Sequence, residues 1–476
     1  MELLKTQIQT IAQVKGVSLT SFQAQVFSGA LQAFPTVTSS LLSEWITVPE
    51  SEIQLILQEL VLQDLVVSKI SGQYHLLHKE SFTPPPITMD QLSFNEVLIL
   101  GWLRGFASLN VMDFSFFTGV APSVLFQYLL ALIGQGHLQG RFEREKHFIP
   151  TVLPSIKKSF AFSDVPISSY PLIGLFLTWQ SHIKIAEFST ILDMSEGEVL
   201  FRLLYLLAGD VVKIDLSILS YDNIGDGILC QFKALNYVRS IIQVASFRGF
   251  YLELIGRLFL YHQVSISTLS LELQIAPRDL LIALFTIVAL HDLPVKVQLK
   301  NKKNLQGLIS LQKMDYPAQV QKSNLSLMEY FLVTQIERSD KTSFRLTFES
   351  VGFEPRLVLE VLARFALKGV LKGVLRKDRL FLDSALEYLP EDQSDFILAA
   401  ITGYFLSHSS PSLDELAHIL ALSPQETRRH IDKINLTHPE SIKFIQDTLS
   451  VGHLQLHDLP ILGLPLDMLV LLGYLN

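Results

Sequence analysis

Apolar residues return along this chain at helical spacing in blocks of about 13 residues. Two short segments rich in β-branched residues follow each block. In the first copy Glu52 to Leu62 reads as a helix, Leu65 to Ile70 as a strand, Ser71-Gly72 as a turn and Gln73 to His78 as the returning strand. In the fifth, Val370 to Leu375 and Arg379 to Leu382 flank a charged turn at Arg376-Lys377-Asp378. Proline opens five of the blocks, at Val48-Pro49, Ala121-Pro122, Ala276-Pro277, Glu354-Pro355 and Ser423-Pro424, and Ser195-Glu196 opens the sixth. Proline is favoured at a first helical position because its missing N–H would go unpaired there. The marks lie about 73, 73, 82, 78 and 69 residues apart. The blocks stop at Asp64, Gly136, Gly209-Asp210, Asp292 and Gly369. Upstream of each mark lies a short apolar segment and, before that, a longer amphipathic helix.

Three helices and a hairpin at a period of about 75 residues make the winged-helix plan, a relative of helix-turn-helix. The expected fold class is therefore mainly α with small β-hairpins (α+β), as a tandem array of about six winged-helix domains. The expected units span 1–83, 90–155, 166–236, 240–315, 324–386 and 391–458, with an apolar tail at 459–476. Pro84-Pro85-Pro86 reads as a stiff linker. A solenoid of helix pairs is the competing plan, but its repeats are shorter, about 34 to 47 residues, and carry no hairpins.

The helix after each mark would read a DNA major groove, given Arg, Lys, Asn or Gln for base edges and cations for phosphate. The first carries Glu50, Glu52 and Glu59 and no basic residue, and the second, Pro122 to Gln135, no charge at all. The third sets Glu196 and Glu198 against Arg202, and the fourth balances Arg278 with Asp279. These four are unsuited to a polyanion. The fifth and sixth differ: Arg356, Arg364 and Lys368 oppose Glu360, and Arg428, Arg429 and Lys433 lie beside Glu426 and Asp432. Arg356, Arg364, Arg428 and Arg429 are thus candidate partner contacts, whether to an acidic protein surface or to nucleic acid. The second and fourth helices are apolar nearly all round, which requires cover on both sides, from a neighbouring unit or a partner protein.

Composition narrows the field. Hydrophobic residues make up 49% and charged residues 18% of 476, which excludes a disordered chain. The net charge of -8 disfavours a general nucleic-acid binder. Cys230 is the only cysteine, so neither an internal disulfide nor a cysteine-rich zinc site can form, and a reducing, cytoplasmic setting is expected. Met1 to Lys5 lacks a signal-peptide pattern, and Leu280 to Leu290 is too short to span a bilayer. No membrane span is expected.

Catalytic constellations do not emerge. The chain has no glycine-rich phosphate loop, no His-Glu-x-x-His and no Gly-x-Ser-x-Gly. Gly225-Asp226-Gly227 reads as a hairpin turn and Gly134-Gln135-Gly136 as a helix end. His75 and His78 would point to opposite faces of a strand, and His453 with His457 lacks a third ligand. Neither cofactor nor metal is expected.

Two segments carry a family resemblance. Glu50 to Leu62 with Asp64-Leu65-Val66-Val67 and Ser71-Gly72-Gln73-Tyr74 resembles the first winged helix of the ubiquitin-fold modifier ligase family. Gly136-His137-Leu138-Gln139-Gly140-Arg141 with His147-Phe148-Ile149-Pro150 resembles a later one, and a similar hairpin marks PCI-domain subunits. The resemblance implies a scaffold-type transferase without a catalytic cysteine, whose N-terminal helix recruits a conjugating enzyme and whose winged helices pair with an adaptor. Leu4, Ile8 and Ile11, which form a helical stripe in Met1 to Lys15, would be the recruiting positions.

The expected function is a non-catalytic protein-binding scaffold, ligase-like in a ubiquitin-like modifier pathway. The alternatives are a DNA-binding regulator acting through units five and six, and a structural subunit of a trafficking or PCI-type complex docking through 459–476.

Overall fold

All six expected helix starts are helix starts in the computed structural model. It describes residues 2–69, 72–77, 84–143, 146–156, 166–179, 182–239, 249–312, 343–345, 355–376, 379–382, 412–419, 422–437, 442–445 and 448–451. The first repeat runs α1 (Glu2–Val14), α2 (Ser21–Ala33), β1 (Val37–Thr38), α3 (Ser39–Ile46), α4 (Glu50–Leu62), β2 (Val66–Lys69) and β3 (Gln73–Leu76). The second runs α5 (Phe94–Phe106), β4 (Leu109–Asn110), α6 (Val111–Thr118), α7 (Pro122–Gly134), β5 (Gln139–Glu143) and β6 (His147–Val152). The third comprises α8 (Tyr170–Thr178), β7 (His182–Lys184), α9 (Ile185–Leu192), α10 (Glu196–Ala208), β8 (Val212–Ile218), α11 (Ile224–Gly227) and β9 (Ile228–Leu235).

The fourth contains α12 (Phe250–Tyr261), β10 (Gln263–Ser265), α13 (Ile266–Leu273), α14 (Pro277–Leu290), β11 (Val295–Asn301) and β12 (Gln306–Leu311). Of the fifth, β13 (Ser343–Arg345), α15 (Pro355–Lys368), β14 (Gly373–Arg376) and β15 (Arg379–Leu382) are described. Of the sixth, α16 (Leu413–Ile419), α17 (Pro424–Thr437), β16 (Ile442–Ile445) and β17 (Thr448–Val451) are. The fold is thus α+β, helices with small antiparallel sheets. The tail 459–476 and His453 and His457 lie outside the described residues.

Local chemistry sets the helix ends. Ser93 caps α5 reciprocally: its N–H and hydroxyl donate to Glu96 Oε2 at 2.7 Å, and Glu96 N–H returns a bond to Ser93 Oγ at 3.4 Å. Thr20 and Gln23 repeat the device on α2. Gly136, just past α7, turns the chain at φ +80°, a conformation glycine adopts without strain.

The sheets hold more than the expected hairpins. Among the described residues a short strand earlier in the repeat joins the hairpin of five repeats, giving the orders β1-β3-β2, β4-β6-β5, β7-β9-β8 and β13-β15-β14, and β10 pairs with β12 in the same manner. Two or three residues are too few to show a period-2 pattern. Gly225-Asp226-Gly227 lies in the connection of the β8–β9 hairpin, as expected, and there forms a single helical turn, α11. Asn223 Oδ1 accepts from Asp226 N–H at 2.7 Å, and Gly225 N–H donates to Glu196 Oε2 at 2.9 Å, so polar side chains on both sides wind the segment.

With the additional helix α1 set aside, so that α2 counts as the first helix of the first repeat, the third helix of one repeat packs on the first helix of the repeat before it. The pairs are α7 on α2, α10 on α5, α14 on α8 and α15 on α12. A glycine in each first helix permits the approach. A Cβ on Gly29 would lie 1.8 Å from Leu130 O, on Gly101 2.1 Å from Leu204 O, on Gly174 1.8 Å from Phe285 O, and on Gly256 2.5 Å from Ala363 O. The touched residue is the ninth of its helix in all four cases. Neighbouring repeats, not a partner, therefore cover the all-apolar faces of α7 and α14.

By compactness the chain divides in two: 1–241 with 276–307, and 242–275 with 308–476. The fourth repeat is shared between them, because α14 belongs with α8 and α12 with α15. Division by repeat and division by compactness differ because each third helix is buried on its predecessor.

Candidate functional site

Amphipathicity put Leu4, Ile8 and Ile11 on one stripe of α1, and the structure buries that stripe, at 9%, 0% and 4% exposure. Its cover comes from the same repeat, since α1 packs on α2 and α4. Lys15, just past α1, bonds Glu59 of α4 at 2.9 Å and holds that carboxyl below its usual range. The recruiting positions the sequence suggests are therefore core residues. The large apolar residues that α1 offers outward are Leu3 and Val14.

The basic candidates separate. The Arg356 side chain lies outside the described residues. Arg364 is half-buried and pairs with Glu360 one turn earlier on α15. Arg428 and Arg429 are exposed side by side on α17, with Lys433 one turn on.

Position nine of the third helix sorts the repeats. Leu130, Leu204, Phe285 and Ala363 are buried there under a preceding repeat. Gln58 of α4 and Asp432 of α17 hold the same position and are exposed. On α4 the outward residues are Ser51, Gln54, Leu55, Gln58 and Leu62.

A groove opens beside each inter-repeat crossing. An aromatic residue stands five positions after each crossing glycine: Phe34, Phe106, Trp179 and Tyr261. The next repeat fills the first groove, where Phe34 stacks on Phe142 at 4.6 Å and lies 5.1 Å from Trp45. It also fills the third. Lys302 sits 5.0 Å above the Trp179 ring and pairs with Glu187.

The second groove is an open cleft of about 940 Å³, lined by Trp102, Phe106, Ser108, Asn110, Asp113, Glu143, Lys146, His147 and Leu216 to Ile218. Met112 and Leu219, next in sequence to the lining residues Asp113 and Ile218, and Phe116 and Tyr221 are themselves exposed, at 49%, 53%, 51% and 54%. Exposed apolar patches of this kind mark interaction surfaces. Phe116 and Tyr221 meet edge to face at 6.0 Å, and burial together with the nearby Asp113 carboxylate raises the Tyr221 hydroxyl above its usual range. Ser108 Oγ lies 3.2 Å from His147 Nε2. No carboxylate is bonded to the other ring nitrogen of His147 among the described residues, so the pair lacks the orienting group of a nucleophilic triad.

The fourth groove, about 640 Å³, is lined by Tyr261, Glu272 and Arg376 among others. Its floor is polar. Arg257 is wholly buried and donates to Glu272 Oε2 at 2.7 Å, and Tyr261 donates to Glu272 Oε1 at 2.7 Å. Burial and the Glu272 carboxylate push the Tyr261 hydroxyl well above its usual range.

The glycine-plus-five aromatic pattern was visible in the sequence as a repeat, but only the packing shows its use. Among the described residues no group of three metal-ligating side chains occurs, and no single helix is long and apolar enough to cross a membrane. No protein-family model matches the chain, and no curated protein does either.

Proposed function

We propose that the chain is a non-catalytic protein-binding scaffold built of about six tandem winged helices. Its element order supports the winged-helix reading: helix, short strand, helix, helix, hairpin, with the short strand paired to the hairpin. The observation that carries the scaffold reading is the burial of Leu130, Leu204, Phe285 and Ala363 against a preceding repeat. A helix buried along that face is withheld from a DNA groove. The second observation is the open cleft with its exposed aromatic rim. A ligase-like role in a ubiquitin-like modifier pathway, with a conjugating enzyme or a winged-helix adaptor as partner, rests on the two segments that resemble that ligase family. A cytoplasmic setting belongs to the same proposal and draws on the lone, buried Cys230.

A direct test uses the full chain as bait in native lysate. The scaffold reading expects a stoichiometric protein partner whose recovery falls when Phe116 and Tyr221, both exposed, are changed to Asp. Equal recovery with wild type and variant, or recovery of no protein at all, contradicts it.

Exposed Arg428, Arg429 and Lys433 on α17 favour one second reading, contact with nucleic acid through the sixth repeat. Phosphate contacts release counterions, so binding to a random duplex pool would fall steeply with salt and be lost with Arg428→Ala and Arg429→Ala. A shift insensitive to both would remove this reading.

A further inference from the structure

We propose that the open cleft between the second and third repeats receives a lysine or arginine side chain from an extended segment of a partner protein; this deepens the scaffold reading and rests on it. The argument is an equivalence inside the chain. At the third groove, Lys302 of the fourth repeat stands over the Trp179 ring of the third and bonds Glu187. Trp179 is five residues past Gly174, and Glu187 is the third residue of α9. In the second repeat those two positions are Phe106, five past Gly101, and Asp113, the third residue of α6. A ring and a carboxylate are thus set out twice in the same places, the arrangement that attracts a cation through ring quadrupole and charge together.

What differs is the wing that follows. The third repeat brings Leu216, Ser217 and Ile218 to the cleft, and none is cationic. Lys146, Glu143 and His147 also line it; Glu143 pairs with Arg141 at 2.9 Å. Among the described residues no cation lies over Phe106. The aromatic surface is broad, because Trp102 stacks on Phe106 at 4.1 Å and Phe116 and Tyr221 stand exposed beside Asp113. One wall is β8, an edge strand of its sheet, and edge strands accept an extended peptide.

The test measures fluorescence anisotropy of short labelled peptides with the full chain. Each peptide alternates valine and threonine around one central residue: lysine, arginine, norleucine or glutamate. The lysine and arginine peptides should saturate, and the other two should bind about tenfold more weakly or less. Asp113→Asn, a substitution at a half-buried surface position, should weaken the lysine peptide about tenfold and leave the norleucine peptide unchanged. Phe106→Leu, which keeps the bulk, should weaken it too. Equal binding of the four peptides, no binding by any, or full lysine binding by Asp113→Asn would overturn the proposal. If the lysate partner is still captured while the lysine peptide fails, only this inference falls. If both fail, the scaffold reading falls with it.

Discussion

Gly29 and Gly134 face each other across the α2–α7 crossing, so close that a Cβ on Gly29 would lie 1.8 Å from Leu130 O and one on Gly134 1.9 Å from Gln25 O. Backbone meets backbone there, and no rotamer change can relieve an added methyl. Gly101, Gly174 and Gly256 make the same approach in the next three repeats. Alanine at Gly29, Gly101 or Gly174 should each destabilise by about 1–3 kcal/mol or more, the cost of overpacking a rigid contact. Gly197 is the control. It is also helical, a methyl added to it would meet nothing within 4 Å, and its alanine variant should gain roughly 0.5–1 kcal/mol. Denaturant midpoints of the four variants check both signs.

Stability should depend on pH through two half-buried histidines. Burial holds His137 and His291 below the ordinary imidazole value; for His137 the nearby Glu96 carboxylate opposes this without cancelling it. The unfolded chain therefore takes up its protons first as pH falls. The stabilisation is complete above about pH 6.5 and is lost as pH drops through the lower folded-state values. Unfolding midpoints should fall between about pH 7.5 and pH 5.5, and His137→Gln should flatten that slope.

Arg257 is fully buried, with Nε making no hydrogen bond, and among the described residues its nearest carboxylate is Glu272 at 2.7 Å, with Glu253 at 3.8 Å. Glu272→Ala should cost about 3 kcal/mol, the low end for breaking a buried pair, because the Glu272 side chain is itself partly exposed. Arg257→Met combined with Glu272→Met should recover most of that loss. Equal destabilisation by the single and double variants would deny the pair its role.

Cys230 is wholly buried on β9, and burial pushes its thiol well above the usual range. Since the thiolate is the reactive species, the native chain should resist maleimide at pH 8 and be labelled fully in guanidinium. Rapid labelling of the native chain would contradict this placement.

Much of the architecture was legible because its signals are local. Pro122, Pro277 and Pro424 start helices by their own geometry, and Ser195 by its cap. What was hidden depends on distant pairing. The stripe of Leu4, Ile8 and Ile11 says that one face of α1 is covered, but amphipathicity is silent on whether its own repeat or a partner covers it. Two residues such as Leu109-Asn110 become a strand only because His147-Phe148 lies opposite. A single helical glycine such as Gly101 reads as a weak point until α10 is seen against it. The cleft depends on which hairpin side chain arrives, Phe142, Leu216 or Lys302, and that is set by the register of one repeat on the next.

The most direct test of this inter-repeat packing is cross-linking across the α2–α7 crossing. Gln135 Nε2 donates to Gln25 Oε1 at 3.1 Å, so the two side chains meet tip to tip. With Cys230→Ser removing the native thiol, Gln25→Cys and Gln135→Cys should be joined within one molecule by a short bifunctional thiol reagent, and denaturant should abolish the link. Absence of an intramolecular link in the folded chain, or links formed only between molecules, would contradict the burial of each third helix on the repeat before it.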